Sequence, residues 1–115
     1  MVDYSRKDGV TALGALLGRK RRYDAIFCAA GDVSATGILA AARERGLRIP
    51  EDLAVLGYDD HELARMSHPP LSTFRQPLDE IAARTWRLAT EETAEILAKP
   101  KKVLLKPVLV RRDST

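Results

Sequence analysis

Two groups of carboxylates that follow short apolar runs are the residues of this sequence best placed to do chemistry. Asp32 follows the run 25–29, and Asp59 and Asp60 follow the run 53–57. An ionised carboxylate only accepts hydrogen bonds, so carboxylates at a strand end suit the hydroxyls of a sugar or the N–H of a ring. Two alternatives stay open at this point: Asp32 could instead cap a helix, and Asp59 and Asp60 could lie in a solvated loop.

The other reactive side chains form no catalytic or metal-binding motif. His61 and His68 are seven residues apart with no cysteine or third histidine nearby, which argues against a metal site. Cys28 lies within an apolar run, where a thiol behaves as a small hydrophobe. No glycine-rich phosphate loop follows that run. We therefore expect a protein that binds a small molecule and is not an enzyme, with no metal ion and no cofactor.

Alternating apolar patterns predict the elements that position these carboxylates. Helical spacing of apolar residues predicts four helices, at residues 10–17, 32–45, 61–66 and 77–98. Short apolar runs predict four strands, at residues 25–29, 53–57, 71–75 and 103–110. This alternation predicts an α/β fold in which a mostly parallel sheet is flanked by helices. Ligands of such sheets bind at the carboxyl ends of the strands, which is where Asp32 and Asp59 fall.

The size and charge of the chain narrow the class of protein. Its 115 residues suffice for one compact domain or for one lobe of a larger one. The single cysteine fits a reducing compartment, and no apolar run approaches the roughly 18 residues that a membrane helix needs. The 19 basic and 16 acidic residues are dispersed, whereas a DNA-binding domain usually concentrates its positive charge. The basic run 19–22 suits a solvated helix end, with nucleic-acid binding as the alternative.

Five longer motifs resemble the lactose/galactose repressor (LacI/GalR) family of bacterial transcriptional regulators. They cover essentially the whole chain in the family's order and spacing. One of them is similar to the family's P-L-T-T-x-x-Q-P segment, with Ser72 in place of a threonine, and the last resembles its R-x-S-T terminus. The motifs are Tyr23–Asp32, Gly46–Asp52, Val55–Asp60, Pro69–Pro77 and Leu109–Thr115.

The resemblance implies that the chain is part of a two-lobed, type I periplasmic-binding-protein-like effector domain. Residues 1–76 and 103–115 would form most of the carboxyl-terminal lobe, and residues 77–98 a crossover helix that packs partly against the other lobe. The family's DNA-binding headpiece would be absent, so operator DNA would be contacted only through a headpiece outside this sequence. The lobe's first strand would be absent too, which leaves the strand at 25–29 as an unpaired sheet edge.

Effector and dimer contacts follow from the resemblance residue by residue. Tyr4 matches an aromatic residue that stacks on the effector ring, and Asp59 matches the family's principal carboxylate for the polar groups of the effector. Gly31 lies where sugar-binding members often carry asparagine, and it is more similar to the purine-repressor branch. Gln76 matches a crossover residue that can face the cleft, and Asp32 completes the predicted effector-binding set. The surfaces through which family lobes dimerise match Leu39, Arg43, Leu63 and Met66.

The function that the resemblance implies is allosteric regulation of transcription in the bacterial cytoplasm, without membrane contact. A small effector, a sugar or a purine-like molecule, binds between two lobes and biases their relative angle, which sets the spacing of two DNA headpieces. We expect a homo-oligomer, in the first place a dimer, because an unpaired sheet edge and an apolar stripe on the long helix both invite a second copy. A solute-binding protein of a transport system is the alternative. The stripe comprises Leu78, Ile81, Leu88 and Ile96.

Overall fold

The computed structural model describes residues 4–90, 94, 98, 99 and 102–115. They divide into two compact units, which are described separately: residues up to 75 together with 109–115, and residues 76–108. Helices and strands alternate along the described chain. The described elements are α1 (Arg6–Leu17), β1 (Ala25–Phe27), α2 (Asp32–Glu44), β2 (Ala54–Tyr58), α3 (Glu62–Met66), β3 (Ser72–Arg75), α4 (Leu78–Thr90) and β4 (Val108–Val110).

The first unit is built on a sheet whose strands lie in the order β1-β2-β3-β4. Both β1 and β3 pair with β2 in parallel, so that Phe27 lies opposite Leu56 and Tyr58 lies opposite Phe74. The carboxyl ends of these three strands therefore meet at one edge, which we call the carboxyl edge of the sheet. The predicted α/β fold with a mostly parallel sheet flanked by helices is confirmed.

The apolar core of the first unit lies between the sheet and α2, and α1 and α3 close it. The core side chains come from α1, α2, α3 and β2, and from residues directly next to the strands. Full burial of a leucine, isoleucine or valine stabilises a fold by about 1.5–3 kcal/mol, so this cluster gives the unit a core of its own. Its larger members are Leu13, Ile38, Leu39, Leu53, Val55 and Leu71.

Two glycines allow the backbones of α1 and α2 to touch where the helices cross. A Cβ atom at Gly9 would collide with the carbonyl oxygen of Ser34, and a Cβ atom at Gly37 would collide with the carbonyl oxygen of Arg6. A clash with backbone atoms is not relieved by a change of rotamer. The crossing therefore requires residues without a side chain on both helices.

The start of α1 differs from the predicted one because of its capping residues. α1 begins at Arg6 rather than at residue 10, because Ser5 and Asp8 form a reciprocal capping box: the Asp8 amide donates to Ser5 Oγ at 3.3 Å, and the Ser5 amide donates to Asp8 Oδ2 at 2.9 Å. The alternative that the carboxylate of Asp32 caps α2 is wrong. Gly31 is the N-cap residue, and no side chain caps that helix.

The predicted strand at 103–110 is shorter in the structure. β4 begins at Val108, directly after Pro107, because proline has no amide to donate to a ladder. The strand predicted at 25–29 likewise ends at Phe27.

The second unit contains α4, whose first turn is closed by a bond from the Ile81 amide to the Pro77 carbonyl, at 2.9 Å. No described side chain of α4 is buried, and Trp86, which lies beside the apolar stripe, is 71% exposed. The stripe residues Ile81 and Leu88 are half-buried and line a groove with Val103 and Leu105. The predicted extension of this helix to residue 98, including Ile96, lies largely outside the described residues.

Candidate functional site

A turn with an unusual backbone follows β2 at the carboxyl edge. Asp59 and Asp60 both have positive φ angles, 104° and 53°, in a region where each residue other than glycine costs of order 1–3 kcal/mol. The amide of Asp59 donates to the Phe74 carbonyl at 2.8 Å. The amide of Asp60 donates to Thr73 Oγ1 at 3.3 Å, and the amide of His61 donates to Asp32 Oδ2 at 2.7 Å. Hydrogen bonds from three successive amides thus hold the turn in place.

Asp32 is buried behind this turn, with 1% of its surface exposed. Thr73 Oγ1 donates to its Oδ1 at 2.7 Å, and the His61 amide donates to its Oδ2. Burial raises the pKa of Asp32, although both hydrogen bonds act to lower it. The carboxylate therefore ties the first turn of α2 to β3 and to the turn after β2. Its contact with an effector stays a prediction.

Asp60 lies in a cluster of arginines that we call the Asp60 ion cluster (Asp60, Arg75 and Arg112). Its side chain is 3% exposed, its Oδ1 accepts from Arg112 Nη2 at 2.6 Å, and its Oδ2 accepts from Arg75 Nε at 2.7 Å. Arg65 lies further away, at 3.9 Å. Burial raises the pKa of Asp60, but the two close guanidiniums outweigh burial and bring the pKa below its usual range. Asp60 is thus an ionised anchor rather than part of a solvated loop.

The R-x-S-T segment at 112–115, which the sequence marks only as a family signature, holds the sheet together. Ser114 is fully buried; its Oγ accepts from the Ser72 amide at 2.8 Å and donates to the Val55 carbonyl at 2.6 Å. Arg112 Nη1 donates to the Leu71 carbonyl at 2.8 Å. The segment therefore joins β2 to β3 and carries the guanidinium that reaches Asp60. Sequence reasoning missed this role because the partners are 40 or more positions apart.

Of the predicted effector-binding residues, the structure brings three together at the carboxyl edge: Gly31, Asp32 and Asp59. Asp59 is exposed, and a Cβ atom at Gly31 would lie only 3.0 Å from its Oδ2. Gly31 also has a φ of 102°, a conformation that glycine adopts without strain. Tyr4 precedes α1 and is 62% exposed, and Gln76 belongs to the second unit.

An aromatic cluster that the sequence analysis did not single out also lies at the carboxyl edge. Phe74 packs edge-on against Phe27, with ring centroids 6.0 Å apart, and lies 6.4 Å from the ring of Tyr58. Neighbouring residues of a strand point to opposite faces, and Thr73 points towards α2. The three rings therefore lie on the face of the sheet away from α2, where Phe27 remains 53% exposed.

The four predicted dimer residues line one groove in the first unit. Leu39 and Arg43 contribute from α2, Leu63 and Met66 from α3, and the groove has a volume of about 350 Å³. Leu63 is 37% and Met66 is 71% exposed, whereas Leu39 is buried at the base. We call this surface the α2–α3 groove.

The described ranges also bear on metal binding and on membrane insertion. Those residues contain no group of three or more histidine, cysteine, aspartate or glutamate side chains that could hold a metal ion. They also contain no helix that combines the length and apolarity needed to cross a bilayer. Cys28 is 8% exposed, its Sγ donates to the Gly31 carbonyl at 3.6 Å, and burial raises the pKa of its thiol.

Comparison with known proteins identifies the family to which this fold belongs. The periplasmic binding protein-like domain family matches residues 3–115. The HTH-type transcriptional repressor PurR of Escherichia fergusonii is 34% identical over 112 residues, which are 97% of this chain and 33% of that protein. The ribose operon repressor of Haemophilus influenzae is 40% identical over 110 residues, 92% of this chain and 32% of that protein. The chain therefore spans about a third of the length of these relatives.

The structural comparison agrees with the sequence comparison. The solved complex of the transcriptional regulator CelR with cellobiose superposes with a TM-score of 0.85 at 33% identity, over 98% of this chain and 34% of that one. The parallel sheet with carboxylates at its carboxyl edge thus defines a lobe of the periplasmic-binding-protein type, and the chain belongs to the periplasmic binding protein-like domain family. Because its relatives are bacterial repressors, its resemblance to the LacI/GalR regulators is confirmed.

Proposed function

We propose that this chain is the carboxyl-terminal lobe, with its crossover helix, of the effector-binding domain of a LacI/GalR-type transcriptional regulator. The observation that carries the proposal is the exposed carboxylate of Asp59, which lies beside Gly31 at the carboxyl edge on a turn held by three amide hydrogen bonds. A fixed, exposed acceptor at that edge suits a ligand with hydroxyl or ring N–H donors. The protein would act by binding, not by catalysis.

The proposed mechanism assigns a part to each predicted effector-binding residue. Asp59 accepts charge-assisted hydrogen bonds from the effector, each worth roughly 1.5–3 kcal/mol. Tyr4 stacks on the effector ring, and Gln76 meets the effector from the crossover. Gly31 borders the effector without a side chain that would crowd the Asp59 carboxylate. Asp32 acts through the turn that its carboxylate holds in place. Binding between two lobes then shifts the population towards one angle between them.

The proposed partners extend beyond this chain. A small molecule, either a sugar or a purine-like ring, is the effector, and operator DNA is contacted by a headpiece outside this sequence. A regulator of this kind works in the cytoplasm, as a homodimer formed through the α2–α3 groove. The alternative, a solute-binding protein of a transport system, is not favoured because the relatives are named repressors.

The proposal is tested by titrating the ¹⁵N-labelled chain with millimolar cellobiose, ribose and hypoxanthine. Millimolar concentrations suit the weak affinity of one side of a cleft, because a second lobe normally buries most of a ligand. We expect at least one compound to shift the amide resonances of Gly31 and of residues 58–61. In Asp59→Asn these shifts should disappear, since asparagine keeps the shape of the side chain and tolerates positive φ but removes the charge.

Asp24→Asn is the matched control, because Asp24 is an exposed aspartate at the opposite end of β1. It should leave the titration unchanged. Shifts confined to another surface, or identical shifts in Asp59→Asn, would contradict the assignment of Asp59.

A further inference from the structure

We infer that Asp60 is a positioning residue for this site: the Asp60 ion cluster holds the turn that presents the carboxylate of Asp59. The inference rests on the proposed function, since it deepens the account of the same site. The relatives' names and the sequence motifs assign no such role to Asp60, and the proposed function gives Asp60 no contact with the ligand. Its contribution is the backbone geometry of its neighbour.

The cluster fixes the Asp60 side chain from two separate elements. Arg75 ends β3 and donates through Nε to Oδ2, whereas Arg112 comes from the final segment and donates through Nη2 to Oδ1. Arg112 is itself anchored, because its Nη1 donates to the Leu71 carbonyl. Charge-assisted hydrogen bonds of this kind are short and directional, so together they determine where the Asp60 carboxylate lies.

The strained backbone of the turn makes the position of the Asp59 side chain depend on the Asp60 ion cluster. Asp59 and Asp60 adopt positive φ angles in succession, and a conformation of that kind persists only where its surroundings hold it. When the Asp60 side chain is released, the φ angles of Asp59 and Asp60 rotate towards their ordinary negative range, which relieves the strain. The rotation about φ of Asp59 swings its Cα–Cβ bond away from Gly31. Binding by Asp59 therefore depends on a charge that lies one residue further along the chain.

Amide hydrogen exchange in the 115-residue chain, without any ligand, tests this directly. We expect Asp60→Asn to speed exchange at the amides of residues 59–61 about tenfold more than at the core amides of Ile38 and Leu39, because only the turn opens. A residue that served general stability alone would speed exchange equally at both sets, and that result would overturn the inference.

Two further variants keep the test decisive. Arg75→Gln removes one guanidinium from the cluster. Because the Arg75 side chain is 53% exposed, this variant should fold even if Asp60→Asn does not. It should show the same local pattern of exchange to a lesser degree. Asp52→Asn is the matched control: Arg48 pairs with Asp52 at 2.6 Å and lowers the pKa of Asp52 to about 2, but this pair lies on an exposed surface away from the turn. It should leave exchange at residues 59–61 unchanged.

A measurement of ligand affinity distinguishes a failure of this inference from a failure of the proposed function. Whichever of cellobiose, ribose or hypoxanthine binds the natural chain should bind Asp60→Asn about tenfold or more weakly, since misplacing a binding group by about 1 Å is enough for such a loss. Undiminished affinity in a folded Asp60→Asn would overturn the positioning role. If none of the three binds the natural chain, the proposed function fails, while the exchange result still decides whether Asp60 holds the turn.

Discussion

Asp32 is buried against two neutral donors, a threonine hydroxyl and a backbone amide, whereas Asp60 is buried against guanidinium groups. Neutral donors stabilise a charge less than burial penalises it, so the pKa of Asp32 rises; guanidiniums more than offset burial, so the pKa of Asp60 falls. Asp59 is exposed at the same edge. Two buried aspartates of one edge thus have pKa values that are displaced in opposite directions.

Asp32 supplies a test at the residue scale. In Asp32→Asn the amide oxygen can accept from the His61 amide and the NH₂ group can donate to the Thr73 hydroxyl, so we expect a loss of less than about 1 kcal/mol in the free energy of unfolding. Asp32→Ala leaves the His61 amide without an acceptor and opens a cavity, for an expected loss of about 2–4 kcal/mol. Urea denaturation at pH 7 measures both. Equal losses in the two variants would show that the charge itself is required.

Spacing along the chain predicted which carboxylates lie at the carboxyl edge but not what surrounds them. Asp60 and Arg112 are 52 residues apart, and their contact exists only because the final segment crosses β3. The sequence could place Asp59 and Asp60 side by side at a strand end. It could not indicate that one is exposed and the other 3% exposed, because that difference arises from the direction of two φ angles.

At the scale of elements, the crossing of α1 and α2 gives a sharp prediction. Gly37→Ala forces a Cβ atom into the Arg6 carbonyl, so the helices must separate, and we expect a loss of about 3 kcal/mol, the upper part of the range for overpacking. Gly14→Ala is the control in α1, since its Cβ atom would meet only the Arg45 side chain, at 3.6 Å. It should raise stability by up to about 1 kcal/mol through helix propensity. Thermal unfolding followed by circular dichroism compares them, and a stable Gly37→Ala would mean that the helices do not touch there.

The periodicity of apolar residues and the positions of glycine and proline predicted most of the helices and strands. The starts of α2 and α3, and the positions of β2 and β3, fall within one residue of the predicted ones, since apolar runs, glycines and prolines mark them. The S-x-x-D spacing of Ser5 and Asp8 is likewise a sequence signal, that of the capping box at the start of α1. The close contact of α1 and α2 at Gly9 and Gly37 could not be predicted from the sequence. The reason for a glycine within a helix becomes clear only when the position of the neighbouring helix is known.

At the scale of the molecule, the α2–α3 groove predicts how two copies meet. A twofold interface uses the same patch on both copies, and the partly exposed Leu63 and Met66 beside Arg43 offer such a patch. We expect the chain to dimerise at micromolar concentration and Leu63→Glu to be monomeric, because a desolvated charge at the centre of an interface is unfavourable. Sedimentation equilibrium measures this.

Val10→Glu is the control for that experiment, since Val10 has the same exposed fraction as Leu63, 37%, but lies on α1 outside the groove. It should remain dimeric. A dimer that survives Leu63→Glu would instead point to the other predicted contact surfaces, the edge of β1 or the stripe of α4.

The burial of Cys28 gives the protein a chemical reporter of its own. Alkylating and disulfide reagents attack the thiolate, and a thiol that is 8% exposed with a raised pKa forms little of it while the fold is closed. Since this is the single cysteine of the chain, any label marks one place, the connection between β1 and α2 behind Gly31. The rate of Cys28 modification under native conditions therefore measures how often that connection opens. The same measurement applies to every variant, because no additional cysteine has to be engineered.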